Sequence, residues 1–277
     1  MIFCESGRVI ENRLLAPGHF KLILQAPHIA PHVEAGQFIQ IRCTMEDDPL
    51  LPRPMSVYRV DGDKIEILYE VIGRGTALMA QAKKGTALEI YGPLGRPFWK
   101  VPEAKVLFLI GGGIGLAPFY ALAETFLKET RDKQQATRIT VLFGARTKAR
   151  VICEEEFKKL GVGFEVSTDD GSYGFHGRVT QLLEKKLLDL SPPSSLALYA
   201  CGPNIMMQET CRIALSHSLP CQVSLDEPMA CGFGICFGCA VKIKRQETSN
   251  KQQDGEFTYK LACKDGPVFE AKEVLWE

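Results

Sequence analysis

Residues 106–123 read VLFLIGGGIGLAPFYALA, eighteen positions without a charge and by length alone enough to cross a bilayer. Four glycines and Pro118 in the middle of the run argue for a different course: an apolar strand, a glycine-rich turn, and a helix opening at about Pro118 and running to about Glu129. Apolar strands and helical stretches keep alternating downstream, through RITVLFG, a helix near 154–160, GFEVST, a helix near 178–188, and SLALYAC. That order predicts a doubly wound, mostly parallel sheet with right-handed crossovers.

Upstream the period changes to two. GQFIQIRC at 36–43, MSVYRV at 55–60, KIEILYEVI at 64–72 and TALEIYG at 86–92 alternate apolar and polar residues between Gly and Pro signals, which predicts an antiparallel β-barrel or sandwich. The change falls near 100–104, at Pro102. After about residue 225 neither pattern continues, and four of the ten cysteines lie in the last 47 residues. The expected organisation is therefore a barrel over 1–101, a doubly wound domain over 102–225, and a separate metal-bearing tail over 226–277. Within the tail the polar stretch RQETSNKQQDGE at 245–256 reads as an exposed loop or hairpin tip.

A chain of 277 residues, 45% hydrophobic, suits two domains and a small third module. Its 33 basic and 33 acidic side chains give zero formal charge, without the clustered Lys and Arg that nucleic acid or an anionic membrane requires. Small molecules or another protein are the expected partners. The opening MIFCESGRVIENRLL lacks a charged n-region, an apolar core and a cleavage site, so a reducing, cytoplasmic compartment is expected. There the cysteines serve as thiols, metal ligands or redox groups instead of a disulfide framework. Cys4, Cys43, Cys153, Cys211 and Cys221 lack ligand spacing and read as core thiols.

Cys231, Cys236 and Cys239, followed by Cys263, form C-x4-C-x2-C with a distant fourth cysteine, the plant-type spacing for a 2Fe-2S cluster. Gly232, Gly234 and Gly238 let the loop fold around an inorganic core and aim N–H groups at sulfur. Structural zinc is the other possibility, but its C-x2-C units recur in pairs and here there is one. In the glycine-rich turn, Gly111, Gly113 and Gly115 let a dinucleotide pyrophosphate approach a helix N-terminus. The last glycine of the usual fingerprint is replaced by Pro118 and its acidic residue is missing. Arg146 favours a 2′-phosphate or simply lies in solvent, leaving NADH and NADPH both open.

Arg53, Pro54, Met55, Ser56 and Tyr58 occupy one barrel strand, with Gly73, Arg74, Gly75 and Thr76 opening a short helix about 20 residues later. Arg supplies bidentate donors for phosphate, Ser a hydroxyl for a ring nitrogen, Tyr a stacking surface. Each has an ordinary structural role as well: ion pair, solvated strand position, core residue, N-cap. Together they favour a flavin site. Tyr199, Ala200, Cys201, Gly202 and Pro203 end a strand before a helix, where doubly wound folds bind ligands, with Cys201 as a buried thiol the equal alternative.

RPMSVY, GRGT, GPLG at 92–95, GGGIGLAP and CGP occur in the order found in the ferredoxin reductase-like flavoproteins. With DEPMACGFGICFGC and CKDGPVF at 263–269, nearly the whole chain resembles the electron-transfer subunits of dihydroorotate dehydrogenase B. The resemblance implies FAD, a 2Fe-2S cluster and NAD as cofactors. It implies that Arg53, Pro54, Met55, Ser56, Tyr58 and Tyr69 line the flavin site, that Gly75 and Thr76 hold the flavin pyrophosphate, and that Gly202 and Pro203 adjoin the nicotinamide. Ser56 and Cys201 would serve the chemistry itself, and Cys231, Cys236, Cys239 and Cys263 would ligate the cluster.

The implied partner is an FMN-containing catalytic dihydroorotate dehydrogenase subunit in a heterotetramer of two catalytic and two electron-transfer chains. Electrons would pass from its FMN through the cluster and FAD to NAD in pyrimidine biosynthesis. Similar subunits serve NAD(P)H-dependent ferredoxin or sulfide oxidoreductases. The chain departs from the pattern at Met55, where plant-type reductases usually carry Tyr, so that stacking would fall to Tyr58 or another residue. The interval from Cys239 to Cys263 is also long for the family. Phe233, Ile235 and Phe237 between the cluster glycines would form either a docking surface or packing for the tail.

Overall fold

The computed structural model describes residues 1–102, 104–133, 137–190, 195–245 and 257–276. Six strands, β1 (Phe3–Ala16), β2 (His19–Gln25), β3 (Phe38–Arg42), β4 (Arg53–Asp61), β5 (Lys64–Glu70) and β6 (Ala87–Leu94), close an antiparallel barrel in the order β1-β2-β5-β4-β3-β6. Alternation along each strand sorts the side chains. Ile39 and Ile41 of β3 and Met55 and Val57 of β4 fill the interior. The cross-strand pairs Phe38 with Ser56 and Gln40 with Pro54 therefore share the outer face. β1 and β2 were not among the expected strands. Most of β1 is exposed or half-buried, with only Gly7, Val9 and Ala16 buried, so it carries no apolar alternation for a sequence reading to detect. Helix α1 (Arg74–Gln81) follows β5.

The second layer is a seven-stranded sheet in the order β10-β9-β8-β7-β11-β12-β15, built from β7 (Val106–Gly112), β8 (Arg138–Ala145), β9 (Gly163–Thr168), β10 (Phe175–His176), β11 (Leu196–Cys201), β12 (Cys221–Ser224) and β15 (Val268–Glu270). Helices α2 (Phe119–Lys133), α3 (Glu154–Leu160), α4 (Val179–Asp189) and α5 (Asn204–Ser216) cover it. All pairings are parallel except that of β15 with β12. The chain runs outward from β7 to β10 and returns on the other side of β7 to β11. The crevice beyond the carboxyl ends of β7 and β11 is thus the topological switch point, where such sheets bind ligands. Residues 106–123 form β7, a tight turn and the start of α2, and among the described residues no helix is long and apolar enough to cross a membrane.

The tail after 225 packs against both the barrel and the parallel sheet. Its hairpin, β13 (Ala240–Lys244) with β14 (Phe257–Leu261), brackets the 245–256 stretch, whose residues 246–256 lie outside the described residues. β15 then joins the edge of the parallel sheet, and the Arg96 N–H donates to the Gly266 carbonyl. Phe38 and Leu94 of the barrel share one apolar core with Cys239, Val241, Cys263 and Phe269 of the tail. Three separate segments are thereby fixed around one volume.

Barrel and sheet are also joined by a buried polar cluster. Lys21, 2% exposed, donates to Glu66 at 3.2 Å and to Glu156 of α3 at 2.5 Å, and the Tyr58 hydroxyl donates to the same Glu156 oxygen at 2.8 Å. A buried ammonium is tolerated only when paired and hydrogen-bonded, and two carboxylates with one tyrosine meet that demand here.

Candidate functional site

On the barrel, the Arg53 guanidinium donates to the Leu51 carbonyl and lies against the first turn of α1. A Cβ on Gly75 would fall 2.6 Å from Arg53 Nε, so only glycine admits the guanidinium this close to the helix. The Thr76 hydroxyl oxygen accepts from the Ile72 and Gly73 N–H groups at 3.0 and 3.2 Å, capping α1. A forked cation beside a helix N-terminus fits a pyrophosphate. Pro54 and half-buried Ser56 follow Arg53 on β4, both on the outer face, whereas Arg53 at the strand's start pairs with Ile41.

The two tyrosines are placed differently from expectation. Tyr58 is 0% exposed, stands between Tyr120 and Lys21, and spends its hydroxyl on Glu156. Burial pushes that hydroxyl's pKa far above the ordinary range. Tyr69 is buried in the barrel, stacked on Phe20, with its hydroxyl donating to Asn12 Oδ1 at 3.0 Å. Neither ring offers a free face for stacking, because each is used to close a core. Met55 also points inward.

At the switch point the two glycine-containing turns interlock. Cys201 is the strand partner of Gly111, and a Cβ on Gly115 would fall 2.2 Å from the Cys201 carbonyl oxygen. A Cβ on Gly112 would strike Met206 and Pro203, whereas Gly113, at φ 56°, faces open space. Gly111, Gly113, Gly115, Gly202 and Pro203 are thus brought to one crevice by the adjacency of β7 and β11. Burial, and after it the charge of Asp226, pushes the Cys201 thiol up to about 12 against an opposing hydrogen bond with Ser224. The group in the crevice is a neutral thiol at ordinary pH and not a thiolate nucleophile. Arg146 is exposed at the end of β8.

In the tail, Cys231 Sγ accepts from the Phe233 and Ile235 N–H groups, each at 3.4 Å. Burial raises this thiol, and the N–H groups of Cys236, Ile235 and Phe233 outweigh it, bringing it down to about 6. Positive φ falls on Gly232 (75°), Gly234 (80°) and Phe237 (61°); Gly238, expected to share this role, is not among the positive-φ residues. The loop turns one residue earlier than the glycine pattern implied. The Cys263 N–H in turn meets Cys239 Sγ at 3.5 Å, which brings the fourth cysteine beside the third. Burial, and after it the bond to Cys239, raises Cys263 to about 12. Among the described residues no three or more Cys, His, Asp or Glu side chains are grouped to hold one metal ion. Backbone amides aimed at the Cys231 and Cys239 sulfurs fit the thiolate ligands of an iron-sulfur cluster.

Comparison with known proteins bears on the same regions. Residues 226–275 match the model of the iron-sulfur cluster binding domain of dihydroorotate dehydrogenase B, and residues 109–212 match the oxidoreductase NAD-binding domain. The dihydroorotate dehydrogenase B (NAD(+)) electron transfer subunit of Desulforamulus reducens is 36% identical over 274 residues, 98% of each chain. The chain belongs to this family. The corresponding subunit of Geobacillus thermodenitrificans is 37% identical, over 99% of this chain and all of that one. Among solved structures, an NADH-dependent reduced ferredoxin-NADP oxidoreductase studied for flavin-based electron bifurcation superposes with TM-score 0.80 at 27% identity, covering 98% of this chain and 90% of that one. A Neisseria gonorrhoeae ferredoxin NADP+ reductase with bound FAD and NADP shares the fold, with TM-score 0.65 at 19% identity over 77% of this chain and 91% of that one. As a family member the chain is an oxidoreductase subunit with an NAD-binding domain and an iron-sulfur module.

The remaining cysteines divide by burial. Cys43, Cys211 and Cys221 are core thiols as expected, whereas Cys4 is exposed and Cys153 half-buried at φ 59°. The Lys21–Glu66–Glu156–Tyr58 cluster was missed in the sequence, because its members lie far apart in the chain and belong to no motif.

Proposed function

We propose that this chain accepts electrons released when a catalytic, FMN-containing dihydroorotate dehydrogenase subunit oxidises dihydroorotate, and delivers them to NAD in pyrimidine biosynthesis. Dihydroorotate loses two electrons and two protons in becoming orotate, and NAD takes a hydride and leaves one proton, so the overall reaction balances without another oxidant. When bound, FAD exchanges a hydride with nicotinamide and single electrons with a 2Fe-2S cluster, which is the reason both accompany NAD as cofactors. One observation carries the proposal: barrel, parallel sheet and tail share one apolar core, in which Phe38 and Leu94 meet Ile110 and Ala200 as well as Cys239 and Cys263. The Phe38 and Leu94 side chains flank the Ser56 face of the barrel.

In this reading Arg53, Gly75 and Thr76 hold the flavin pyrophosphate, and Ser56 and the neutral Cys201 thiol line the reacting ring edges. Gly111, Gly113, Gly115, Gly202 and Pro203 hold the dinucleotide, and Cys231, Cys236, Cys239 and Cys263 ligate the cluster. The functional units are 1–101, 102–225 and 226–277. Ile235 and Phe237, 76% and 69% exposed beside the thiols, form the partner-facing surface, while Phe233 packs edge-on against Tyr91. The assembly is a heterotetramer of two catalytic and two electron-transfer chains in the cytoplasm, with neither nucleic acid nor membrane as a partner.

The test is anaerobic reduction of NAD by dihydroorotate, using the catalytic chain of the same organism alone and then mixed with this protein. NADH formed only in the mixture supports the proposal. A second reading, reduction of a ferredoxin or sulfur acceptor, is favoured by the 27% identity to the NADH-dependent reduced ferredoxin-NADP oxidoreductase. No NADH from a fully loaded preparation that NADH itself bleaches would select it.

A further inference from the structure

Gln40 lies at the centre of β3 and is 0% exposed, yet among the described residues neither its Nε2 nor its Oε1 has a hydrogen-bond partner. A buried carboxamide left open at both ends bears the full desolvation cost of each unpaired group, so such a residue in a core calls for an explanation. Its position supplies one. Ile39 and Ile41 face the barrel interior, so Gln40 projects outward, directly across from Pro54 on β4. On that outer face it meets the tail: a Cβ on Gly232 would fall 2.8 Å from Gln40 Cγ and 2.9 Å from Nε2. Gly232 immediately follows Cys231 and adopts φ 75°. Two demands for glycine at 232, the left-handed backbone and the close approach, are thus met beside the same carboxamide.

We propose that Gln40 is a positioning residue for the iron-sulfur module, donating an Nε2–H hydrogen bond to a sulfur of the Cys231 side of the site and thereby raising its reduction potential. Thiolate and sulfide sulfurs accept hydrogen bonds and do not donate them, so the amide end beside Gly232 is the donor end. Reduction adds negative charge to the cluster, and a donor held in place by β3 stabilises the reduced form more than the oxidised one. Because β3 and β4 also carry the outer face with Pro54 and Ser56, the same strand pair links this donor to the flavin motif. The proposal rests on the iron-sulfur module and not on the identity of the partner chain.

The test uses the whole protein loaded with FAD and cluster, comparing wild type with Gln40→Leu and the isosteric Gln40→Glu. Iron, acid-labile sulfide and flavin contents are measured first, so that failure of the cluster assignment is seen separately. An EPR-monitored redox titration should then show the one-electron reduction equilibrium of Gln40→Leu about tenfold less favourable, 59 mV lower, with Gln40→Glu lower still. A Gln40→Leu protein with full cluster content and an unchanged potential overturns the proposal. If both variants lose the cluster, pulsed EPR on reduced wild type labelled with side-chain 15N-glutamine decides. Coupling to a glutamine nitrogen supports the donor role, and its absence refutes it.

Discussion

Gly115→Ala tests the interlocking of the two turns at the switch point. The added Cβ would stand 2.2 Å from the Cys201 carbonyl oxygen, 2.5 Å from its carbonyl carbon and 2.6 Å from Gly202 Cα, all backbone atoms that no rotamer change can move. Bringing the closest contact out to 3.0 Å, the limit for real Cβ atoms, requires the turns to part by about 0.8 Å, and that shift widens the crevice itself. Overpacking of this kind costs about 1–3 kcal/mol, and each kcal/mol lowers Tm by about 2–4 °C in a protein of this size. A misplacement approaching 1 Å at a hydride-transfer site lowers kcat/KM by about 100-fold. The assay is NADH oxidation with ferricyanide as acceptor, beside a thermal melt. Gly113→Ala is the control for the thermal melt alone: its Cβ meets nothing within 4 Å, so it carries the left-handed backbone cost of about 1–2 kcal/mol and does not force the turns apart. A Gly115→Ala protein with wild-type Tm and wild-type NADH kinetics would refute the packing argument.

Tyr58→Phe should lower stability by about 1.5 kcal/mol through loss of the hydrogen bond to Glu156, yet leave the flavin absorption spectrum unchanged; an altered flavin spectrum would return Tyr58 to the flavin site. Cys236→Ser should abolish the cluster spectrum while FAD is retained, as measured by visible circular dichroism and flavin content. Cys201 links the crevice to pH. Its thiol titrates at about 12 in the fold against 9.0 unfolded, so above pH 9 the unfolded chain binds fewer protons and stability falls as pH rises from 9 towards 12. Cys201→Ala should flatten that slope in denaturant titrations, and an unchanged slope would assign it to other groups.

The sequence alone determined the parts whose signals are local. Alternation in β3 to β6, the strand-turn-helix at 106–123 and the cysteine spacing each lie within a short window, because backbone periodicity and ligand geometry act over a few residues. β1 left little trace, since a strand with three buried residues of fourteen shows no apolar alternation, and its place is set by pairing with β2 and β6. The flavin motif was legible as residue types, but strand direction and burial decided which of them face outward: Ser56 does, whereas Tyr58 and Tyr69 close cores.

Tertiary structure alone brought Gln40 to Gly232, Lys21 to Glu156 and Gly115 to Cys201. These meetings depend on which strands become neighbours and how the layers dock. Such long-range choices come from burying large apolar surfaces together, and no short stretch of chain records them.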